Sequence, residues 1–161
     1  MPHLDAAYNF ARWLTRNEHD AQDVAQEAFL RAFKFFDSFR GSNGRSWLLS
    51  IVRNASHDWL QKNRKGESSE VFDEQLHGAE QSEHQAALPA DMDQEIVRQA
   101  IEDLPVEYRE VTILREMEGM SYKEIAEVSG VAMGTVMSRL ARARKQLHTR
   151  LAERMRKERK L

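Results

Sequence analysis

A capping box, a helix-ending glycine and a one-sided basic ladder fall within one run, residues 121–144 (SYKEIAEVSGVAMGTVMSRLARAR), and few folds accommodate all three. Ser121 and Glu124 have the i, i+3 spacing at which hydroxyl and carboxylate satisfy each other's free amides at a helix start. Ile125, Ala126 and Val128 supply the apolar inner side of that short helix, with Ala126 small where a second helix must cross closely. Gly130 can take the left-handed conformation that ends it. Val131 and Val136 would plug the angle between the two helices. Thr135, Ser138, Arg139 and Arg142 are then placed on the outer face of the second helix, the geometry of a helix-turn-helix presented to a major groove. An αα-hairpin with the same small residues also occurs in helical domains that never touch DNA. The residues that follow favour DNA: Arg142, Arg144, Lys145, Arg150, Arg154, Arg156, Lys157, Arg159 and Lys160 are opposed only by Glu153 and Glu158. A solvated helix face mixes its signs, so a ladder this one-sided points to phosphate contact.

The basic end is balanced elsewhere, because the whole 161-residue chain carries a net charge of only −2. The balance sits at residues 66–95, where nine acidic side chains are interrupted by no Lys or Arg and apolar residues show no period. That composition is expected of a flexible linker, a solvated spacer rather than a dedicated binding segment. With 41% hydrophobic and 31% charged residues the chain has material for modest cores on either side. There are no cysteines, which excludes disulfides and thiolate metal sites and fits a reducing cytoplasm. No run approaches the length of a membrane span and no charged-then-apolar leader is visible, so a cytoplasmic protein is expected. His3, His19, His57, His77, His84 and His148 share no metal-ligand spacing, and no nucleophile–base pair, phosphate loop or carboxylate pair marks an active site. The expectation is a non-enzyme with no cofactor, no metal and no small-molecule substrate.

The first block is helical by period. Leu4, Ala7, Tyr8, Ala11 and Leu14 form one stripe, residues 17–19 a break, and Asp20 an N-cap for the next helix. Val24, Ala25, Ala28, Phe29, Ala32, Phe33 and Phe36 form a second stripe, and residues 39–45 a glycine-containing loop. Trp47, Leu48, Ile51, Val52, Ala55 and Trp59 mark a third helix. After the linker, Ile96, Val97, Ala100, Ile101 and Leu104 begin a new block. Pro105 opens the next helix, whose buried side is Val106, Val111, Ile113, Leu114 and Met117, and Gly119 ends it. The fold class expected is all-α: two small helical domains, of three and four helices, at residues 1–65 and 96–161, joined by the linker at 66–95.

At this point the chain resembles a known family, the extracytoplasmic-function (ECF) sigma factors of bacterial RNA polymerase. Residues 20–29 (DAQDVAQEAF) are similar to the family's run in region two. Residues 39–41 (FRG) with Trp47, Leu48 and Asn54 are similar to its promoter-melting segment. Leu104, Pro105, residues 122–126 (YKEIA) and 134–144 are similar to region four. The resemblance implies a subunit that binds core RNA polymerase, recognises two promoter elements and starts transcription, within a stress or envelope-response regulon. Partners implied are core polymerase, promoter DNA and an anti-sigma factor.

The resemblance also assigns residues. Asp23, Gln26 and Glu27 would contact polymerase; a polar anionic patch suits an arginine-bearing partner helix. Phe39, Ser42, Asn43, Arg45, Trp47, Arg53, Asn54 and Lys62 would serve the minus-ten element, where a base can be read fully only once it is unstacked. Of these, Phe39 would be an apolar wall, Ser42 and Asn43 polar partners, Asn54 the reader of a base edge, and Arg45, Arg53 and Lys62, with Arg64 and Lys65, the holders of the backbone. Trp47 falls on the apolar stripe with Ile51, so core packing is a better reading for it than a stacking platform. Thr135, Met137, Ser138, Arg139, Arg142 and Lys145 would serve the minus-thirty-five element. Met137 stands where relatives often carry a base; it can touch a thymine methyl but cannot read guanine bidentately. The acidic linker resembles the segment that threads the polymerase's RNA exit path. Two rival readings remain: a stand-alone helix-turn-helix regulator binding operators as a dimer, and a metal-dependent enzyme using the histidines.

Overall fold

A computed structural model describes residues 3–39, 41, 43–63 and 93–159, so residues 66–92 of the expected linker, and Ser42, Arg64 and Lys65, lie outside the described residues, while 93–95 belong to the start of the second block. The first three helices are α1 (Leu4–Thr15), α2 (Glu18–Phe35) and α3 (Gly44–Asn63), with one 3₁₀ turn at Phe36–Ser38. The last four are α4 (Gln94–Glu102), α5 (Val106–Glu116), α6 (Tyr122–Ser129) and α7 (Met133–Arg159). The described residues hold no strand, and no described helix is long and apolar enough to cross a membrane.

Ala7, Phe10, Ala11 and Leu14 recur at helical spacing on α1 and are fully buried. The break after α1 is shorter than expected. Arg16 adopts φ 61°, returning its N–H to the Arg12 carbonyl, and Asn17 rather than Asp20 caps α2 by accepting the Asp20 N–H at 3.1 Å. One left-handed residue thus turns the chain back on itself. Ala21, Val24, Ala25 and Ala28 then face α1 and α3, with Phe29 and Ala32 half-buried beside them. The stripe stops there: Phe33 is 88% exposed and Phe36 63% exposed. The reason is length. At about 1.5 Å per residue, an 18-residue α2 outruns the 12-residue α1 that covers it.

Asn43 caps α3 by accepting the Ser46 N–H at 3.1 Å. The buried line of α3 is Leu48, Leu49, Val52 and Ala55, rotated from the expected one so that Trp47 and Ile51 lie at its margin.

Asp93 caps α4, which starts two residues before the expected Ile96, and Pro105 caps α5. Met117, expected on the buried side of α5, is 54% exposed because it follows the last helical turn. The capping box at α6 is present in both directions, Glu124 N–H to Ser121 Oγ and Ser121 N–H to Glu124 Oε1, each at 3.1 Å. Gly130 ends α6 at φ 68°. In α7, Val136, Leu140, Ala143, Leu147 and Leu151 form a continuous buried line along which α4, α5 and α6 pack.

The two blocks close on each other, α3 against α6 and α1 against α5, so that buried apolar side chains from both form a single core. Two polar ties centred on buried charged side chains hold the junction. Arg109, 3% exposed, donates to the carbonyls of Glu102 (2.9 Å), Leu104 (2.9 Å) and Leu14 (3.1 Å), joining the ends of α4 and α1. Glu110, fully buried on α5, accepts from Arg53 Nε at 3.0 Å and pairs with His57 Nε2 at 2.7 Å, both on α3. Burial pushes the Glu110 carboxyl up, but the His57 hydrogen bond and the charges of His57 and Arg53 outweigh it and hold the group below its ordinary value.

A carboxyl depressed in the folded state contributes stability that is present above its unfolded pKa and is lost as pH falls through the folded one. Glu110→Gln should therefore cost about 1.5–3 kcal/mol at pH 7 and progressively less below about pH 4. Urea unfolding of both proteins across pH 3–7 checks this; a cost that does not shrink in acid contradicts it.

Candidate nucleic-acid interface

The loop before α3 and the helix itself bring three of the eight expected minus-ten residues, Phe39, Trp47 and Asn54, to one side. Trp47 is half-buried outside the core, its ring 4.9 Å from Phe39 and 6.4 Å edge-on from Phe36. The core role expected for Trp47 is therefore not what the structure shows: it joins two loop aromatics in a cluster beside the α3 N-terminus. Asn54 lies two turns along the same face, exposed, its Oδ1 accepting from Arg53 Nη1 at 3.3 Å. Lys62 is exposed near the end of α3. An aromatic cluster with an open amide below it can stack a base and bond its edge.

Asn43, Arg45 and Arg53 point the other way, into the second block. Asn43 Nδ2 donates to Glu124 Oε2 at 2.8 Å. Arg45 Nη1 donates to the Glu118 carbonyl at 3.0 Å, with Nη2 3.9 Å from Glu124 Oε2. Arg53 is held by Glu110. Hydrogen bonds from the Ser121 backbone and the Asn43 side chain draw the Glu124 carboxyl below its ordinary value. Glu110, Glu124 and His57 were missed as partners of this face. Glu110 carried a signal, since it falls on the buried spacing of α5 with Val106, Ile113 and Leu114, where a lone carboxylate demands a cation.

Asp23, Gln26 and Glu27 are exposed on the outer face of α2. Leu30, 64% exposed, and Phe33 continue that line at i+3 and i+4 spacings, an apolar extension the sequence reading placed in the core or passed over. His19 Nε2 lies 3.8 Å from Asp23, and Arg31 ties Glu27 to Asp58 of α3 with two contacts of 3.1 Å.

On α7, Met137 and Lys145 are exposed and Thr135, Ser138 and Arg142 are half-buried, with Ser138 Oγ donating to the Thr135 carbonyl at 3.1 Å. Arg139 departs from the expected outer face: only 9% exposed, it is turned into the domain. At about 100° per residue it sits within about 60° of Val136 and Ala143, both fully buried. Two cations of the basic ladder are also engaged internally, Arg144 with Glu116 at 3.6 Å, and Arg154 with Gln99 and with Asp103 at 2.6 Å. Among the described residues, no three His, Asp or Glu side chains are grouped as a metal site requires.

Two family models match the chain in succession. The family described as Sigma-70 region 2 matches residues 1–66, and Sigma-70, region 4 matches residues 94–147. The chain is similar to the ECF RNA polymerase sigma factor SigE of Mycolicibacterium smegmatis, 34% identical over 157 residues that are 94% of this chain and 59% of that protein. It is 38% identical to the ECF RNA polymerase sigma factor EcfG of Rhodopseudomonas palustris over 139 residues, 86% of this chain and 75% of that one. The solved structure of the sigma factor RpoE in complex with the anti-sigma factor NepR from Bartonella quintana superposes with a TM-score of 0.71 at 32% identity, covering 94% of this chain and 92% of that one. With both sigma-70 regions in order on the helices that carry these faces, the chain belongs to the ECF family of RNA polymerase sigma factors.

Proposed function

We propose that this protein is a cytoplasmic promoter-recognition subunit that performs no covalent chemistry of its own. In this reading residues 1–65 dock on core polymerase and engage the minus-ten element, residues 66–95 connect, and residues 96–161 read the minus-thirty-five element. The observation that carries it is the division of exposed surface: an acidic and apolar line on α2, an aromatic–amide cluster at the start of α3, and an outward α7 face bearing Met137 and Lys145. Those are three different chemistries, suited to a protein helix, an unstacked base and duplex DNA.

Each face takes a role. Asp23, Gln26 and Glu27 contact polymerase through arginine-bearing helices, and Leu30 and Phe33 add an apolar anchor, the kind of residue that dominates interface energetics when buried. Phe39 and Trp47 stack a base, and Asn54 bonds its edge; Ser42 and Asn43 are polar partners for that base. Lys62, and Arg45 and Arg53 once freed, hold phosphates. Thr135, Met137, Ser138, Arg142 and Lys145 meet the upstream duplex, with Met137 against a thymine methyl. Arg139 is a positioning residue that braces α7 rather than a base contact. The resemblance to a sigma factor solved with its anti-sigma factor supports a regulatory protein of that kind as a further partner; the target in this reading is a stress or envelope-response regulon.

Asp23→Arg with Glu27→Arg should abolish co-purification with core polymerase while leaving the circular dichroism spectrum unchanged; retained co-purification sinks the docking assignment. Phe33→Ala should weaken the same association about tenfold or more, the loss of a buried aromatic anchor, and an unchanged affinity would remove the apolar extension from the interface. Asn54→Ala should reduce transcription about tenfold, the loss of one bidentate base contact, on a fully paired promoter and much less on one pre-opened by mismatches. Equal loss on both templates would take Asn54 out of the base-reading role.

A further inference from the structure

Residues 133–139 form the first two turns of α7, the end at which a recognition helix meets base edges. Val136 and Arg139 are buried there, Thr135 and Ser138 half-buried, and the exposed positions are Met133, Gly134 and Met137. Gly134 has no side chain, so the open surface of these turns is two thioethers. Met133 is 48% and Met137 37% exposed, and at about 100° per residue they lie about 40° apart on one face. The other described methionines are placed differently. Met120 is fully buried, Met117 follows α5, and Met155 lies toward the far end of α7, about 27 Å along the helix from Met137. A thioether is a soft apolar group suited to a thymine methyl, whereas a methionine sulfoxide is polar and chiral.

We propose that Met133 and Met137 form a modification site: hydrogen peroxide, a two-electron oxidant, converts them to sulfoxides and so releases the upstream duplex. The inference rests on the reading of the outer α7 face as the duplex contact, and it adds Met133 to that face. In the step, a sulfur lone pair attacks one peroxide oxygen and the O–O bond breaks. The departing hydroxide collects the remaining proton and leaves as water; sulfur is oxidised by two electrons and peroxide is reduced by two. The chain holds no cysteine, so no thiol of its own competes for the oxidant. Each new sulfoxide oxygen is an acceptor facing a methyl group that offers no donor, and an unpaired polar group buried in a contact is costly. The fold is spared, because both side chains stand outside the buried core. Methionine sulfoxide is reduced by dedicated enzymes, so the change is reversible.

The test treats the full chain with hydrogen peroxide, removes the peroxide, and then adds core polymerase and genomic DNA. Transcription starts are compared with those of the same protein untreated, and peptide mass spectrometry measures sulfoxide at each methionine. Sulfoxide should form at Met133 and Met137 well before the buried Met120. Starts should fall about tenfold, the effect of one unpaired polar group in the contact, while co-purification with core polymerase is unchanged. Methionine sulfoxide reductases for both epimers should restore the starts. Met133→Leu/Met137→Leu should hold its own untreated level through the peroxide, and Met117→Leu/Met155→Leu should lose activity as the wild type does. If the first leucine pair is inactive before treatment, the second decides, by whether its loss tracks sulfoxide at Met133 and Met137. Starts that survive full oxidation of Met133 and Met137 overturn the inference, as does a loss that Met133→Leu/Met137→Leu does not prevent or one that comes with failed co-purification. Met137→Glu, left untreated, separates this outcome from the underlying reading, since it sets a negative charge against phosphate and should remove most starts. Unchanged starts in that variant, or none from the untreated wild type, would take the outer α7 face off the duplex and the inference with it.

Discussion

A carboxylate with no exposure to water sits where the two halves of this protein meet, and the closed fold is organised around keeping it charged. Placing an ion in such a site costs several kcal/mol unless oppositely charged donors reach it. For Glu110 both donors, Arg53 and His57, come from α3, one turn apart and on the far side of the domain junction. Pulling the blocks apart would return all three groups to water, so the pair contributes specificity of docking more than raw stability. It dictates which face of α3 meets α5 and α6. Around it, Arg109 fastens the carbonyl ends of α1 and α4, and Asn43 and Arg45 close the rim against Glu124 and Glu118.

That choice of face links packing to function. A sigma factor presents several surfaces to partners, and here they are not equally available. The α2 line from Asp23 to Phe33 and the outer side of α7 face solvent, while much of the cationic side of α3 is turned inward.

Local signals were legible in the sequence because they are satisfied locally. The Ser121–Glu124 box, Gly130 in its left-handed turn and Val136 in the angle between the two helices each depend on neighbours within a few residues. The helix order and the motifs that carry the family resemblance were legible for the same reason, and the comparisons agree with that family. What escaped was set by distance or length. Periodicity extended the α2 stripe through Phe33 and Phe36 because nothing in the stripe records that α1 is too short to cover them. The charge of Arg139 suggests an outward side chain, but its helical angle lies close to the buried Val136 and Ala143. Trp47 shared a spacing with Ile51 but found its partners in Phe36 and Phe39, across a loop whose path no period predicts. The pairing of α3 with α5 and α6 was the least accessible, since Arg53 and Glu110 are far apart in the chain and the buried spacing of Glu110 does not say which cation reaches it.

The most direct test of this account is to map transcription start sites made on genomic DNA by purified core polymerase with and without the protein. The account predicts new starts, absent with core alone, each preceded by two short shared elements at a fixed separation that one chain can span with both blocks. No new starts, together with tight binding of the isolated protein to a palindromic duplex as a dimer, would contradict it.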